Sequence, residues 1–202
     1  MRTCHAWPPL RRPAATPARA GASTGPDVTS KKAVFLDRDG TIIRDAHYLS
    51  DPAQVELLPD AAKAIGMLRS AGFLLFLFTN QSGIGRGFFT LESVHRCNER
   101  MVELIGSGPA VFTGICIAPE SPGQPAVYRK PNPRFIDESV ARHQLDRSLS
   151  WMAGDKVIDV ETGINAKINA ALIGTRRLPE NITAPVYESL FTFARAVTAR
   201  PG

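Results

Sequence analysis

Two aspartates, one residue apart, follow a short apolar run near the start of the chain. The run is Ala33–Leu36, and it leads into Asp37, Arg38, Asp39, Gly40 and Thr41. An apolar run of this length predicts a buried strand. Because ligands of open α/β sheets gather at the carboxyl ends of strands, both acids should lie at a binding edge. Two carboxylates so close repel each other and therefore indicate a bound cation or a shifted pKa. The alternative is an ordinary turn, which Asp-Gly pairs often form.

Three further predicted strands are also followed by residues that could do chemistry. Thr79 ends the second apolar run, Arg129 and Lys130 lie in the loop after the third strand, and Gly154, Asp155 and Asp159 follow the fourth. Together these positions supply a carboxylate nucleophile, an acid/base, a hydroxyl, an ammonium and carboxylates for a cation. That set is typical of phosphoryl transfer.

Apolar periodicity and the start and stop residues predict the elements that position these groups. We expect strands at Ala33–Leu36, 73–78, 112–117, 149–153 and 171–173, and helices at 60–71, 90–105, 132–145, after Asp155, and at 186–199. Strands that alternate with helices predict an α/β fold with a central parallel sheet and helices on both faces. The segments between the motifs are too short for an inserted cap domain, so we expect loops to cover the site.

Composition predicts one globular domain with a basic tail. The chain has 202 residues, of which 44% are hydrophobic and 21% charged, which is ordinary for a soluble protein. Residues 1–32 hold six cations against Asp27 alone, which accounts for the whole net charge of +5. We therefore expect a disordered tail at 1–32, a neutral domain at 33–200, and no nucleic-acid binding.

Cysteine usage and hydropathy bear on the compartment. Cys4, Cys97 and Cys116 are widely spaced and fit neither a disulfide framework nor a metal site. No apolar run is long enough to cross a membrane, and the tail lacks the apolar segment of a secretory signal. We expect a cytoplasmic monomer without membrane contact.

The four motifs closely resemble those of the haloacid dehalogenase (HAD) superfamily, over nearly all of residues 33–175. Its Asp-x-Asp-x-Thr motif corresponds to Asp37, Asp39 and Thr41, its Thr or Ser to Thr79, its Lys to Lys130, and its Gly-Asp-x-x-x-Asp to Gly154, Asp155 and Asp159. The resemblance implies a three-layer Rossmann-like fold. It also implies that Asp37 is the nucleophile, that Asp39 is the general acid/base, and that Thr79 and Lys130 assist them.

The same resemblance implies a cofactor. Mg²⁺ would be held by Asp37, the main-chain carbonyl of Asp39 and Asp155, with Asp159 in support. The second aspartate of the first motif points to phosphate ester hydrolysis, because dehalogenases of the superfamily lack it.

Within the superfamily, the chain looks like the D-glycero-D-manno-heptose 1,7-bisphosphate 7-phosphatases, and histidinol-phosphate phosphatases share much of the pattern. The similarity rests on Leu-Asp-Arg-Asp-Gly-Thr-Ile, Thr-Asn-Gln-Ser-Gly-Ile-Gly-Arg-Gly and Arg-Lys-Pro-x-Pro. It implies a small phosphorylated sugar as substrate. The expected substrate contacts are Asp45, Tyr48, Thr79, Asn80, Gln81, Ser82, Arg86, Arg129, Lys130 and Lys156.

Several of these contacts have a plain alternative. The segment 45–48 could be a solvated loop, Arg86 a surface cation, and Lys156 an exposed residue in the first turn of a helix. Arg38 is as consistent with packing as with binding.

One departure from the subfamily concerns zinc. The subfamily usually binds a structural zinc through Cys-x-His and Cys-x-Cys before its Arg-Lys-Pro, and the matching positions here are Ala118, Glu120, Ala126 and Tyr128. No thiolate or imidazole remains, so zinc is not expected. We expect the loop to be ordered instead by Pro119, Pro122, Pro125 and the Tyr128 ring.

Two other functions stay open at this point. A nucleic-acid 3′-phosphatase would need a basic groove, whereas the domain is formally neutral outside the tail. A non-catalytic phosphate-binding protein would have eroded motifs, whereas all four are present.

Overall fold

A six-stranded parallel sheet, in the order β3-β2-β1-β4-β5-β6, forms the centre of the structure. This computed structural model describes residues 30–199. The strands are β1 (Ala33–Leu36), β2 (Leu74–Asn80), β3 (Gly114–Ala118), β4 (Trp151–Gly154), β5 (Asn169–Ile173) and β6 (Val186–Tyr187). The chain first builds outward from β1 to β3 and then crosses to β4 on the other side of β1. The junction of β1 and β4 is therefore the switch point where such sheets bind ligands.

Residues 30–199 contain six helices, and the longer ones pack on the two faces of the sheet. The six helices are α1 (Ala61–Ser70), α2 (Ser82–Gly85), α3 (Leu91–Ile105), α4 (Arg134–His143), α5 (Val157–Asn165) and α6 (Leu190–Thr198), and a 3₁₀ turn lies at Pro52–Gln54. Helices α1, α3 and α6 pack into one apolar core, whereas α4 packs into a second core on the opposite face. The α/β Rossmann-like architecture expected from the sequence is confirmed.

The alternation of side chains along β1 explains the two cores. Val34 and Leu36 point into the core of α1, α3 and α6, whereas Phe35 points into the core of α4. Phe35 stacks on Phe76 of the neighbouring strand with ring centroids 4.7 Å apart, and the ring of Phe135 meets it edge-on. Because both faces are covered, the strands are apolar throughout, which is why they were visible in the sequence.

The largest difference from the sequence prediction lies at the end of the chain. The helix expected at 186–199 begins only at Leu190, because Val186–Tyr187 instead pairs with β5 as the edge strand β6. Ser189 caps the helix by accepting a hydrogen bond from the Thr192 N–H. A strand of two residues has no periodicity of its own, so only the cap could have placed this boundary.

Most other predicted boundaries lie within a few residues of the observed ones, and two are instructive. Thr90, at the start of the helix predicted over 90–105, caps α3, because its hydroxyl accepts from the Ser93 N–H. The helix predicted from residue 132 begins only at Arg134, because Pro133 occupies the cap position and Asn132 instead accepts from the Arg134 N–H in a turn.

Two residues that the sequence assigned to the tail, Lys31 and Lys32, pair with the domain instead. Lys31 bridges to Leu145, and the Lys32 carbonyl accepts from the Leu74 N–H. The remainder of the predicted tail, residues 1–29, lies outside the described residues.

Two helical glycines should respond oppositely to the same substitution. A Cβ at Gly163 in α5 would lie 2.8 Å from the Cβ of Ala170, so Gly163→Ala should lower the free energy of unfolding by about 1–3 kcal/mol through overpacking. A Cβ at Gly66 in α1 would have no neighbour within 4 Å, so Gly66→Ala should raise it by about 0.5–1 kcal/mol. Urea unfolding of both variants checks the pair. Equal effects would contradict the close packing of α5 on the sheet.

Candidate active site

Three aspartate side chains meet at the junction of β1 and β4. Oxygen atoms of Asp37, Asp155 and Asp159 all lie within 4.8 Å of one another, and the three residues are buried. Asp37 directly follows β1, where its N–H donates to the Ala153 carbonyl of β4 at 3.0 Å. Asp155 follows β4, and Asp159 lies in the first turn of α5. The structure thus brings together the acids that the sequence placed after separate strands.

Lys130 lies against two of these acids. Its Nζ donates to Asp37 Oδ1 at 2.8 Å and to Asp159 Oδ1 at 2.5 Å. Asn80 fixes the main chain of Lys130 on both sides, since its Oδ1 accepts from the Lys130 N–H and its Nδ2 donates to the Lys130 carbonyl. Burial by itself lowers the pKa of Lys130, but the charges of Asp159 and Asp37 outweigh it and raise the pKa above its ordinary value. Lys130 is therefore a fixed positive charge.

Glycines allow the acids to approach the backbone so closely. Gly40 has a φ of 82°, and a Cβ there would lie 2.6 Å from Asp155 Oδ2. A Cβ at Gly154 would overlap the carboxyl group of Asp159. Glycine is therefore required at position 40 both by the left-handed backbone and by the neighbouring carboxylate.

The acid cluster fits a divalent metal. Asp155 Oδ1 is buried and, among the described residues, has no hydrogen-bond partner. Burial raises the pKa of Asp155 to about 6, and Asp37 and Asp159 add to the rise although Lys156 opposes it. Asp159 is already engaged, because its Oδ1 accepts from Lys130 and its Oδ2 from the Lys156 N–H. Asp37 and Asp155 are thus the side chains able to bind an oxygen-preferring cation, and Asp159 supports them.

The carboxylate of Asp39 faces a different set of partners. Arg38 binds it with two hydrogen bonds, from Nε to Oδ2 and from Nη2 to Oδ1, both 3.1 Å long. Gln81 Nε2 donates to the same Oδ2 at 2.8 Å and also to the Thr79 hydroxyl. The side chain of Asp39 is therefore outside the metal-binding cluster, where only its main-chain carbonyl was expected.

Two adjoining cavities open over this centre. One of about 280 Å³ is lined by Asp37, Asp39, Thr79, Asn80, Ser82, Arg129, Lys130, Lys156, Ile158 and Asp159. The other, of about 190 Å³, shares Asp39, Asn80, Ser82 and Lys156 with it and continues to Asp45, Tyr48 and Gln81. A larger and mostly apolar cavity of about 490 Å³ lies between α3 and β3. We place the active site at the two polar cavities, because they hold the nucleophile and acid candidates.

The structure gathers all but one of the expected substrate contacts along these cavities. Asp45 and Lys156 meet at the rim through an ion pair of 3.1 Å, and each is about 40% exposed. Partial burial acts to raise the pKa of Asp45, but the hydrogen bond from Lys156 outweighs it, so the pKa is lowered. Tyr48 packs its ring on Phe88 at the same rim. Arg86 is exposed at the end of α2 and lines neither cavity, so its expected contact with substrate has no support in this geometry.

Sequence reasoning missed a further cation beside the two polar cavities. Arg176, in the loop after β5, places its Nη2 3.7 Å from Asp155 Oδ2. The signal was available, because this loop also follows a parallel strand and carries two arginines. At 62% side-chain exposure, the guanidinium can move toward a bound anion.

The carboxylate of Glu120 orders the loop between β3 and Lys130, where the sequence offers no thiolate or imidazole for zinc. Glu120 Oε1 accepts from the Val127 N–H at 3.1 Å and from the Tyr128 N–H at 2.9 Å, and the Glu120 carbonyl accepts from Arg129 Nη1 at 3.0 Å. Tyr128 contributes as expected, since its ring is buried and its hydroxyl donates to Glu138. The expectation from the sequence named the prolines and Tyr128 and overlooked the hydrogen-bonding capacity of Glu120.

The sheet order, the acid cluster and the buried lysine define a HAD-type hydrolase. Residues 127–184 match the family described as HAD-hydrolase-like. A D-glycero-D-manno-heptose-1,7-bisphosphate 7-phosphatase of Chlorobaculum tepidum is 37% identical over 166 residues, covering 76% of this chain and 83% of that protein. A D-glycero-beta-D-manno-heptose-1,7-bisphosphate 7-phosphatase of Helicobacter pylori J99 is 35% identical over 150 residues, covering 74% and 86%.

A solved structure that resembles this chain is also a heptose bisphosphate phosphatase. The D,D-heptose 1,7-bisphosphate phosphatase of B. bronchiseptica, complexed with magnesium and phosphate, superimposes with a TM-score of 0.74 at 26% identity, covering 83% of this chain and 97% of that one. The chain therefore belongs to the family of D-glycero-D-manno-heptose-1,7-bisphosphate 7-phosphatases, within the HAD superfamily, and is a phosphatase. Within residues 30–199, none of the helices combines the length and the apolar character needed to cross a membrane.

The role of Glu120 in the loop can be tested by two substitutions. Glu120→Ala leaves the N–H groups of Val127 and Tyr128 without their acceptor, so the free energy of unfolding should fall by about 1–3 kcal/mol. Glu120→Gln keeps an oxygen at that point and should stay within about 0.5 kcal/mol of the wild type. Urea denaturation measures both. If the glutamine variant is as unstable as the alanine variant, the carboxylate acts by its charge and the hydrogen-bond argument is wrong.

Proposed function

We propose that this protein is a Mg²⁺-dependent phosphomonoesterase that removes the 7-phosphate of D-glycero-D-manno-heptose 1,7-bisphosphate through an aspartyl-phosphate. One observation carries the chemistry: the carboxylates of Asp37, Asp155 and Asp159 lie within 4.8 Å of one another, with Lys130 bound to Asp37. This arrangement joins a nucleophile, a place for a cation and a fixed positive charge at one point.

In the first step, a carboxylate oxygen of Asp37 attacks the phosphorus atom. The Asp37 oxygen–phosphorus bond forms while the bond from phosphorus to the ester oxygen breaks, and the leaving alkoxide takes a proton from Asp39. Lys130 favours this step, because its charge is held where negative charge accumulates on the phosphoryl oxygens. Thr79 and Ser82, which line the same cavity, can donate to those oxygens.

In the second step, Asp39 acts as a base. It takes a proton from water, the water oxygen attacks the aspartyl-phosphate, and the bond between phosphorus and Asp37 breaks to release inorganic phosphate. The hydrogen bonds indicate which oxygen carries the proton. Oδ2 already accepts from both Arg38 and Gln81, whereas Oδ1 accepts only from Arg38, so Oδ1 keeps room for a proton.

The cation belongs to this proposal as well. Asp37, Asp155 and the main-chain carbonyl of Asp39 would hold Mg²⁺, with Asp159 in support, and the ion would screen the repulsion between the phosphate and the attacking carboxylate. We propose no zinc, because Ala118, Glu120, Ala126 and Tyr128 offer one carboxylate and no thiolate or imidazole where the subfamily has its zinc ligands.

The substrate assignment rests on the relatives and on the charge of the cavity rim. The named relatives act on heptose 1,7-bisphosphate, a molecule with a second phosphate away from the reacting one. Arg129 and Lys156 line the cavity, and Arg176 lies beside it, so cations are available for that second phosphate. The proposed enzyme works as a cytoplasmic monomer on a small sugar phosphate. The formal neutrality of the chain beyond residue 32 favours this over a nucleic acid.

Removal of the nucleophile should abolish turnover. Asp37→Asn should lower kcat on the order of 10⁴-fold or more, because no aspartyl-phosphate can form. Asp60→Asn is a matched control, since Asp60 is exposed and its side chain caps no helix. Phosphate release is measured for both, with circular dichroism to check the fold. Residual activity within tenfold of the wild type in Asp37→Asn would exclude the proposed nucleophile.

A substrate panel tests the specificity. With Mg²⁺, heptose 1,7-bisphosphate should be hydrolysed with a kcat/KM at least tenfold above that for histidinol phosphate, and a 3′-phosphorylated oligonucleotide should not react. EDTA should stop the reaction and added Mg²⁺ restore it. Histidinol phosphate as the better substrate would replace the heptose assignment and leave the phosphatase chemistry intact.

A further inference from the structure

Arg38, between the two motif aspartates, is completely buried. It has 0% exposure and is the largest fully buried side chain of the described part of the chain. Burial of a guanidinium is unfavourable unless its N–H groups are bound. Nε and Nη2 of Arg38 donate to the carboxylate of Asp39, and Nη1 donates to Asn98 Oδ1 at 2.9 Å. Asn98 lies on α3, sixty positions further along the chain.

Asn98 is an unusual residue for its place on α3. It is 1% exposed, among the buried apolar residues Val94, Cys97 and Met101 of the same helix. Its Nδ2 has no hydrogen-bond partner among the described residues. An unsatisfied buried donor is unfavourable, so among the described residues the contact of Oδ1 with Arg38 is the polar interaction that offsets the burial of this side chain.

We infer that Asn98 is a positioning residue for the proposed acid/base Asp39 and acts through Arg38. The main chain of Arg38 has a separate role, since its carbonyl holds the turn by accepting from the N–H groups of Thr41, Ile42 and Ile43. The guanidinium fixes both oxygens of Asp39, and Asn98 fixes the guanidinium against helix α3. Gln81 binds only Oδ2, so the position of Oδ1, the proposed proton carrier, depends on the link from Arg38 to Asn98.

This inference rests on the proposed function of Asp39, and the experiment separates the two. The substrate is p-nitrophenyl phosphate, whose leaving group needs little protonation, so formation of the aspartyl-phosphate does not depend on Asp39. Hydrolysis of the aspartyl-phosphate, in contrast, does depend on Asp39 as base. Misplacement of Asp39 should therefore give a burst of p-nitrophenol followed by a slow steady state. The size of the burst counts the correctly folded active sites.

In Asn98→Leu, the steady-state rate for each active site should fall about 10- to 100-fold after such a burst. This is part of the 10²- to 10⁴-fold that general acid/base catalysis contributes. Asn98→Asp keeps an acceptor for Arg38 and should stay within about threefold of the wild type. Met101→Ala is the control for stability, because it opens a cavity on the same helix without touching this hydrogen bond. It should leave the rate for each active site unchanged.

The outcomes decide between the possibilities. A wild-type steady state in Asn98→Leu, or an equal loss in Asn98→Asp, would overturn the inference. A smaller burst with an unchanged rate for each site would show that Asn98 serves the fold alone, and it too would overturn the inference. Asp39→Asn is the reference: if that variant shows no slow steady state, the proposed role of Asp39 itself is wrong.

Discussion

The crowding of three carboxylates around one buried lysine is the constraint on which the remaining structure depends. Lys130 binds Asp37 and Asp159, whereas Asp155 has only the longer contacts of 3.9 and 3.7 Å with the more exposed cations Lys156 and Arg176, and the three carboxylates lie within 4.8 Å of one another. Repulsion at that distance is strong in a buried environment, so the folded state has to fix the acids from separate elements and a divalent cation is the natural complement. The hydrogen bond from Asp37 to β4, the Asn80 clamp on Lys130 and the glycines at 40 and 154 all serve this one point.

The loop before Lys130 shows how one hydrogen-bonded side chain can order a segment that the sequence comparison had related to a zinc site. A zinc site fixes four points of a loop, whereas Glu120 fixes two N–H groups and, through its carbonyl, the guanidinium of Arg129. Through its side chain and its main-chain carbonyl together, Glu120 therefore links the order of the loop to Arg129, which lines the active-site cavity.

The sequence allowed the fold and the chemical centre to be predicted because both leave local signals. Strands buried on both faces are continuous apolar runs, and the reactive residues directly follow them. The two-residue strand β6 has too few positions for any period, and Ser189 was the single local sign of the true helix start. Glu120 and Asn98 were missed for another reason. Their hydrogen-bond partners are brought near by folding, and in the sequence they are single polar residues without a pattern.

The structure also explains why the reaction could be predicted more sharply than the substrate. The bonds at the reacting centre are buried, and disrupting one would leave an unpaired charge, which is strongly unfavourable. At the rim, both members of the Asp45–Lys156 pair are about 40% exposed, and such exposed pairs contribute only about 0–1 kcal/mol. Arg176 is still more exposed. Buried contacts at the reacting centre restrict residue types and spacing strictly enough to leave a motif, whereas exposed contacts at the rim can be formed by many different residues.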